Sequence, residues 1–335
     1  MANNNLLVFS SSPHVKNKRT TKWIMANVCI ALLPASIMGV VLFGLNAFLL
    51  LLVSIASSLA SEFIYSLILK KKPIDIVKDF DFTSLVTGIL IALCMGSQTP
   101  LYVPVFANAF AIIVVKMLFG GTGKNLVNPA IAGRVFAFIS FTALMTGGWI
   151  LPSIGSLAGG VSLNPTTGAT TLTDILSGNG SSLSNLDLLL GTGLCGCIGE
   201  TCKIALIVGF IYLCALKIID FKYPLIYIAV TGLFTVCLNG FDFGLFLPSI
   251  LSGGLILGAC FMATDYTTTP NTTLGNIIYF VLLGLVTAGL RQATGIEVVS
   301  FVILLMNLIV PLIDKFVRPR PFGFTKLKKQ KGGKN

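Results

Sequence analysis

The chain has 335 residues, of which 55% are hydrophobic and only 10% charged. Soluble domains carry roughly 25% charged residues, so this composition excludes a water-soluble globular protein and points to a polytopic membrane protein forming one helical bundle. The net charge of +11 does not signal nucleic-acid binding, because Lys and Arg gather at the chain ends and at the edges of apolar runs, as cytoplasmic flanks do.

Residues 1–22 are polar and basic, with no apolar region of signal-peptide length before the first long run, and read as a cytoplasmic arm. Spans of about 20 apolar residues are the unit to look for. Ten follow, giving an all-α fold class. The first half, 23–150, holds runs at about Trp23 to Gly44, Ala47 to Leu69, Thr83 to Gly96, Leu101 to Phe119 and Pro129 to Ile150. The third is short and ends in Gly-Ser-Gln-Thr-Pro, which suggests a broken or re-entrant helix shielded by protein or lining a cavity. Residues 151–196 form a polar loop. The second half, 197–316, holds runs at about Cys197 to Leu216, Tyr223 to Leu238, Leu247 to Ala263, Leu274 to Leu290 and Val298 to Phe316. A basic tail, 317–335, follows.

Lys16, Lys18, Arg19 and Lys22 precede the first run; Lys70, Lys71, Lys72 and Lys78 follow the second, and Lys124 the fourth. Lys217 and Lys222 bracket the turn after the sixth. With ten spans all of these fall on one side, so both termini are cytoplasmic. No Lys or Arg occurs between Arg134 and Lys203, which places the 151–196 loop outside the cell. Two short matches suggest an internal repeat: Thr87 to Pro100 resembles Ser252 to Pro270, and Gly121 to Val127 resembles Ala293 to Val299. Five spans per half would set the halves in opposite orientations, as in inverted-repeat transporters.

Soluble-type active sites are mostly absent. The single histidine, His14, lies in the arm, which argues against zinc and against histidine-based catalysis. Gly-Gly-Thr-Gly-Lys-Asn at 120–125 misplaces the first glycine of a phosphate loop and puts Asn125 where Ser or Thr belongs. Cys195, Cys197 and Cys202 lie close together but match neither common ferredoxin spacing, so packing is the expected role and no metal site is assigned. Ionisable residues inside spans are costly and functional by default. Glu62, Lys116, Arg134, Glu200 and Lys203 are the candidates, and Arg291 and Glu297 flank a turn. Glu200 and Lys203, three apart, are expected to pair on one helix face, as a packing pair, part of an ion path or a partner for a bound anion. The polar stretches Gly-Ser-Gln-Thr-Pro and Thr264 to Thr273 either line a midplane site or serve as interhelical turns.

The outside loop contains Asn164-Pro-Thr-Thr-Gly-Ala-Thr-Thr-Leu-Thr-Asp174. Thr171 or Thr173 is placed to cap a short helix beginning near Leu172. Gly168 lets the backbone bend and Ala169 removes bulk, leaving the Thr170 hydroxyl reachable by another protein's active site.

Together with Ser11 to Met25, the run Phe119 to Ala130, Gly196 to Cys202 and Gly289 to Asn307, this stretch makes the chain resemble, over nearly its full length, the D-subunit family of the Rnf complex, the ion-translocating ferredoxin:NAD⁺ oxidoreductase. It is similar, more distantly, to the B subunit of the sodium-translocating NADH:quinone oxidoreductase. The resemblance implies a urea-transporter-like fold of two inverted five-helix repeats in a bacterial cell membrane. It implies a flavin transferase that attaches FMN by a phosphoester to the last residue of Thr167-Gly168-Ala169-Thr170, hence to Thr170, with Thr171 adjoining. The transferase's usual target has an acidic residue where Asn164 stands. Some members also hold a noncovalent riboflavin, which no motif maps here. Members usually carry serine near Cys197 and Cys202, and the complex's iron–sulfur centres belong to other subunits. The expected partners are those subunits, membrane lipid, and Na⁺ or H⁺. The competing class is a solute channel or transporter with the same repeat and no redox role.

Overall fold

The computed structural model describes residues 19–70, 72–74, 80–146, 184–191 and 196–318; the Thr167–Thr171 motif lies outside them. All regular structure among the described residues is helical. In chain order the helices are α1 (Thr21–Phe43), α2 (Leu45–Ile68), α3 (Thr83–Leu93) and α4 (Tyr102–Ala109), the last continuing as a π-helix over Phe110–Met117. Then come α5 (Pro129–Ser140), α6 (Thr142–Thr146), α7 (Asn185–Leu190), α8 (Lys203–Ala215) and α9 (Lys222–Leu238). A short 3₁₀ turn leads into α10 (Phe246–Leu251) and α11 (Leu255–Leu257), which continues as a π-helix over Gly258–Met262. The last two are α12 (Thr273–Thr294) and α13 (Val299–Phe316).

The helix ends follow local chemistry. Thr20 caps α1 by accepting from the Trp23 N–H at 3.3 Å. Asn128 caps α5, accepting from Ala130 N–H at 3.0 Å, with Pro129 at the first helical position, where its missing N–H costs nothing. Thr272 caps α12 by accepting from Gly275 N–H at 3.0 Å, and Gly295, at φ 68°, ends it.

Four helices, α1, α2, α12 and α13, are long and apolar enough to cross a membrane, and the bent pair formed by Phe243–Leu251 and Leu255–Met262 makes a fifth if counted as one span. The chain is a helical, multi-pass membrane protein. Ile37, Ile64, Ile211, Leu233 and Leu308 lie on its exposed faces, as expected where the surrounding medium is hydrocarbon rather than water. The apolar run at 247–263 departs from a single straight span: Gly253–Gly254 interrupts it with a 68° bend. The run beginning at Cys197 also starts differently, with turns up to Cys202 and helix only from Lys203.

α2 packs on α3 and α9 along α12; helices far apart in the chain also meet, α1 on α8 and α5 on α13. The α1–α8 crossing is close because α8 presents Gly209, where an added Cβ would collide with the Ala31 carbonyl oxygen. Helices in membranes associate by such close backbone approach. Gly209→Ala is therefore expected to push α1 and α8 apart and to cost about 2 kcal/mol, typical of overpacking, read as a lower melting temperature of the solubilised protein.

Candidate functional site

Three polar assemblies lie inside this apolar body. The first is centred on Lys116, which the π-helix after α4 carries and which is only 2% exposed. Its ammonium donates to Glu62 Oε1 of α2 at 2.9 Å, Thr83 Oγ1 at 2.5 Å and Ser84 Oγ at 3.0 Å, with Asp81 Oδ1 at 3.8 Å. Asp81 also accepts from Thr83 N–H at 3.0 Å and from Thr122 Oγ1 at 2.5 Å, which ties the start of α3 to the loop after the π-helix. Asp81 is the member that the sequence reading missed; its place two residues before Thr83, at a helix start, was the available signal. Because Lys116 answers two carboxylates, Lys116→Met is expected to cost about 3 kcal/mol, with much of it recovered by adding Glu62→Gln. Thermal melting of the single and double variants checks this.

This assembly borders a cavity of about 190 Å³ that is continuous with the exterior. Val86, Leu90 and Phe261 supply apolar wall, and Asn125, Asp265 and Thr267 supply polar edge. Asp265 is held by Thr267, whose N–H and Oγ1 donate to it at 3.3 and 2.9 Å. The stretch from Thr264 thus forms part of a cavity wall at one end of the bundle. The other polar break, at Gly96 to Pro100, is a turn with Ser97 and Thr99 buried.

The second assembly joins α5, α13 and the segment leading into α8. Arg134 of α5 donates from Nη1 to Ser300 Oγ of α13 at 2.7 Å, and its Nη2 lies 3.7 Å from Glu200 Oε1. Glu200 Oε2 accepts from Cys197 N–H at 3.3 Å, and Cys197 Sγ donates to the Cys94 carbonyl at 3.0 Å. The N–H groups of Ile198 and Gly199 donate to the carbonyls of Met95 and Leu93 at 3.0 and 2.7 Å. The segment leading into α8 thereby caps the buried carbonyl end of α3, which would otherwise be left unsatisfied. Glu200 and Lys203 are adjacent, but not as a carboxylate–ammonium pair on one helix face: Glu200 precedes α8, its carboxylate faces Arg134, and Lys203 Nζ donates to the Glu200 backbone carbonyl. Cys197 and Cys202 are buried, and no group of three or more metal-ligating side chains occurs among the described residues.

The third assembly sits at the Gly253–Gly254 break. Arg291 of α12 donates to the carbonyls of Ser249 and Ser252 at 3.2 and 3.5 Å, at the negative end of α10. Glu297 accepts from Gly254 N–H at 3.1 Å, at the positive end of the next helix, and from Val299 N–H at 3.1 Å. The two side chains pair with each other at 2.6 Å. Gly253, at φ 65°, leaves no room for a Cβ beside Glu297, and a Cβ on Gly254 would stand 2.7 Å from Glu200 Oε1. The second and third assemblies therefore meet across this glycine pair.

The family model described as the NQR2, RnfD, RnfE family matches residues 8–323. A protein of Acetobacterium woodii, named as the D subunit of a Na⁺-translocating ferredoxin:NAD⁺ oxidoreductase complex, is 40% identical over 97% of this chain and 98% of its own length. A protein of Clostridium ljungdahlii, named as the D subunit of a proton-translocating complex of the same kind, is 34% identical over 95% of this chain and 97% of its own. A protein of Stutzerimonas stutzeri, named as the D subunit of an ion-translocating oxidoreductase complex, is 35% identical over 90% and 91%.

Proposed function

The chain belongs to the NQR2, RnfD, RnfE family, and we propose that it is the membrane subunit of an ion-translocating ferredoxin:NAD⁺ oxidoreductase that carries FMN on Thr170. The observation that carries this reading is the end-to-end match: 40% identity over 98% of the relative's length. The flavin supplies the redox chemistry; this chain's task is to hold it at a fixed place and to tune it. It works with the other subunits of such a complex, and a flavin transferase loads Thr170.

A second, noncovalent flavin would suit the cavity beside Lys116. Val86, Leu90 and Phe261 offer apolar faces to a ring, while Asn125 and Thr267 offer polar groups to its edge. The ten-span, inverted-repeat architecture gains support from several parallels. Each of the ten apolar runs contains a helix; the third run of the first half stops short at a polar turn, and that of the second half bends at Gly253–Gly254. Lys116 and Arg291 each close the fourth run of their half with a buried cation. In the orientation given by Lys and Arg, the cavity faces the cytoplasm and the Thr170 loop the opposite side of the cell membrane.

The test is functional replacement. Membrane vesicles from cells lacking the chain are expected to lose ferredoxin-dependent NAD⁺ reduction coupled to Na⁺ or H⁺ uptake, and to regain both with the wild-type chain. Rapid solute flux through the purified chain in liposomes, with no electron donor and no flavin bound, would instead establish the channel reading.

A further inference from the structure

Two buried polar atoms beside the Gly253–Gly254 break have no hydrogen-bond partner among the described residues: Glu200 Oε1 and Arg291 Nε. Their residues are 5% and 2% exposed. Both side chains border the same glycine pair: a Cβ on Gly254 would stand 2.7 Å from Glu200 Oε1, and one on Gly253 would stand 3.1 Å from Nη2 of the Arg291 guanidinium. One atom needs a donor and the other an acceptor. A metal cation would serve Glu200 but be repelled by the guanidinium; an anion would serve Arg291 but be repelled by the carboxylate. Water serves both, and buried polar groups without protein partners are where internal water resides.

Arg134 stands against Glu200 and Arg291 against Glu297, so these four balance. Lys203 is left over. It is wholly buried, and its acceptor is a neutral backbone carbonyl. Glu200, Glu297, Arg291 and the Cys197 thiol are the charged and titratable groups that act on it electrostatically. A surplus ammonium in a low-dielectric interior costs several kcal/mol, whereas a lysine can shed its proton and an arginine cannot. The cluster therefore has two charge states that differ by one proton on Lys203.

We propose that the Gly253–Gly254 break is a hydrated proton-transfer site, in which the Lys203 amine takes up and releases the proton and the Glu200 carboxylate is its neighbour in the relay. In uptake, the Nζ lone pair forms an N–H bond with a proton delivered by hydronium, which is left as water; release is the reverse, and no electrons move. An electron held within the membrane domain adds negative charge and favours the ammonium, which links proton occupancy to electron transfer. That link, though not the site itself, rests on the reading of the chain as part of a redox complex.

The experiment starts with a pH titration of the purified complex followed by infrared spectroscopy, which needs no electron donor. The Glu200 carboxylate band, identified by its loss in Glu200→Gln, is expected to shift as Lys203 titrates. The shift should vanish in Lys203→Met and in Lys203→Arg, which preserves the charge and guards against failure to assemble. In proteoliposomes driven by reduced ferredoxin and NAD⁺, the protons moved per electron are expected to fall severalfold in both Lys203 variants. A band that titrates unchanged in either variant overturns the site. A wild-type proton-to-electron ratio in an assembled variant overturns its part in coupling. Absence of electron transfer in the wild-type complex would count against the functional reading alone, because the infrared result stands without it.

Discussion

Thr170→Val abolishes the covalent flavin, while Thr167→Val and Thr171→Val keep it: that is the expected result of loading the chain with a flavin transferase in the cell. Valine matches threonine in shape and removes only the oxygen that would form the phosphoester with loss of AMP from FAD. Thr170→Ser restores that oxygen and is expected to restore the adduct. Fluorescence of the denatured band and the intact mass of the chain read the outcome, and neither depends on whether the complex turns over. Ferredoxin-dependent NAD⁺ reduction is expected to fall to background in the valine variant, because a lost redox centre interrupts the relay that the cofactor provides. Asn164→Asp, which places a carboxylate where the transferase usually meets one, is expected to raise the loaded fraction. An adduct that persists in Thr170→Val would move the attachment to another hydroxyl of the same loop.

The long helices were legible because their signal is local. α1, α2, α12 and α13 begin and end within a few residues of where the apolar runs do, since a lipid-exposed helix has to be apolar along its whole length. The break after α3 was legible too, through the polar residues Gly96 to Pro100. The break at Gly253–Gly254 was not. Glycines in an apolar run carry no polarity signal, and what holds this one open comes from Arg291 and Glu297, far along the chain. The same limit governed Glu200. Its spacing from Lys203 suggested a pair on one helix, but the helix starts only at Lys203, and the carboxylate's partner, Arg134, lies 66 positions earlier on α5. Spacing names neighbours along a helix; it does not name partners across a bundle. The residues themselves were identifiable as costly charges inside apolar runs, and their grouping into three assemblies required the fold.

Among the substitutions in the described residues, Arg291→Met is expected to be the most damaging. Arg291 is 2% exposed and makes three contacts of two kinds: the Glu297 carboxylate at 2.6 Å and the carbonyls of Ser249 and Ser252. Methionine fills much of the same volume but leaves a buried carboxylate without its counter-ion and a helix end without its cap. Removing one partner of a buried pair costs about 3–5 kcal/mol, and the lost bonds to two carbonyls act in the same direction. Arg291→Lys is expected to recover only part of this, because a single ammonium cannot span two carbonyls and a carboxylate as a planar guanidinium does. Adding Glu297→Gln to Arg291→Met removes the stranded charge while keeping an acceptor for the Gly254 N–H, so the double variant is expected to melt above the single one. That sign decides between two accounts. If the pair mattered only for packing, the two substitutions would add, whereas a coupled ion pair gives a double variant less damaged than the sum. Asp314 offers the contrast: it accepts from the Asn271 N–H and side chain at 3.1 and 2.8 Å at the exposed end of α13. Asp314→Ala should cost within about 1 kcal/mol, since water replaces what the protein loses. Buried depth, rather than hydrogen-bond length, separates the two sites, and the difference in melting temperature between Arg291→Met and Asp314→Ala measures it.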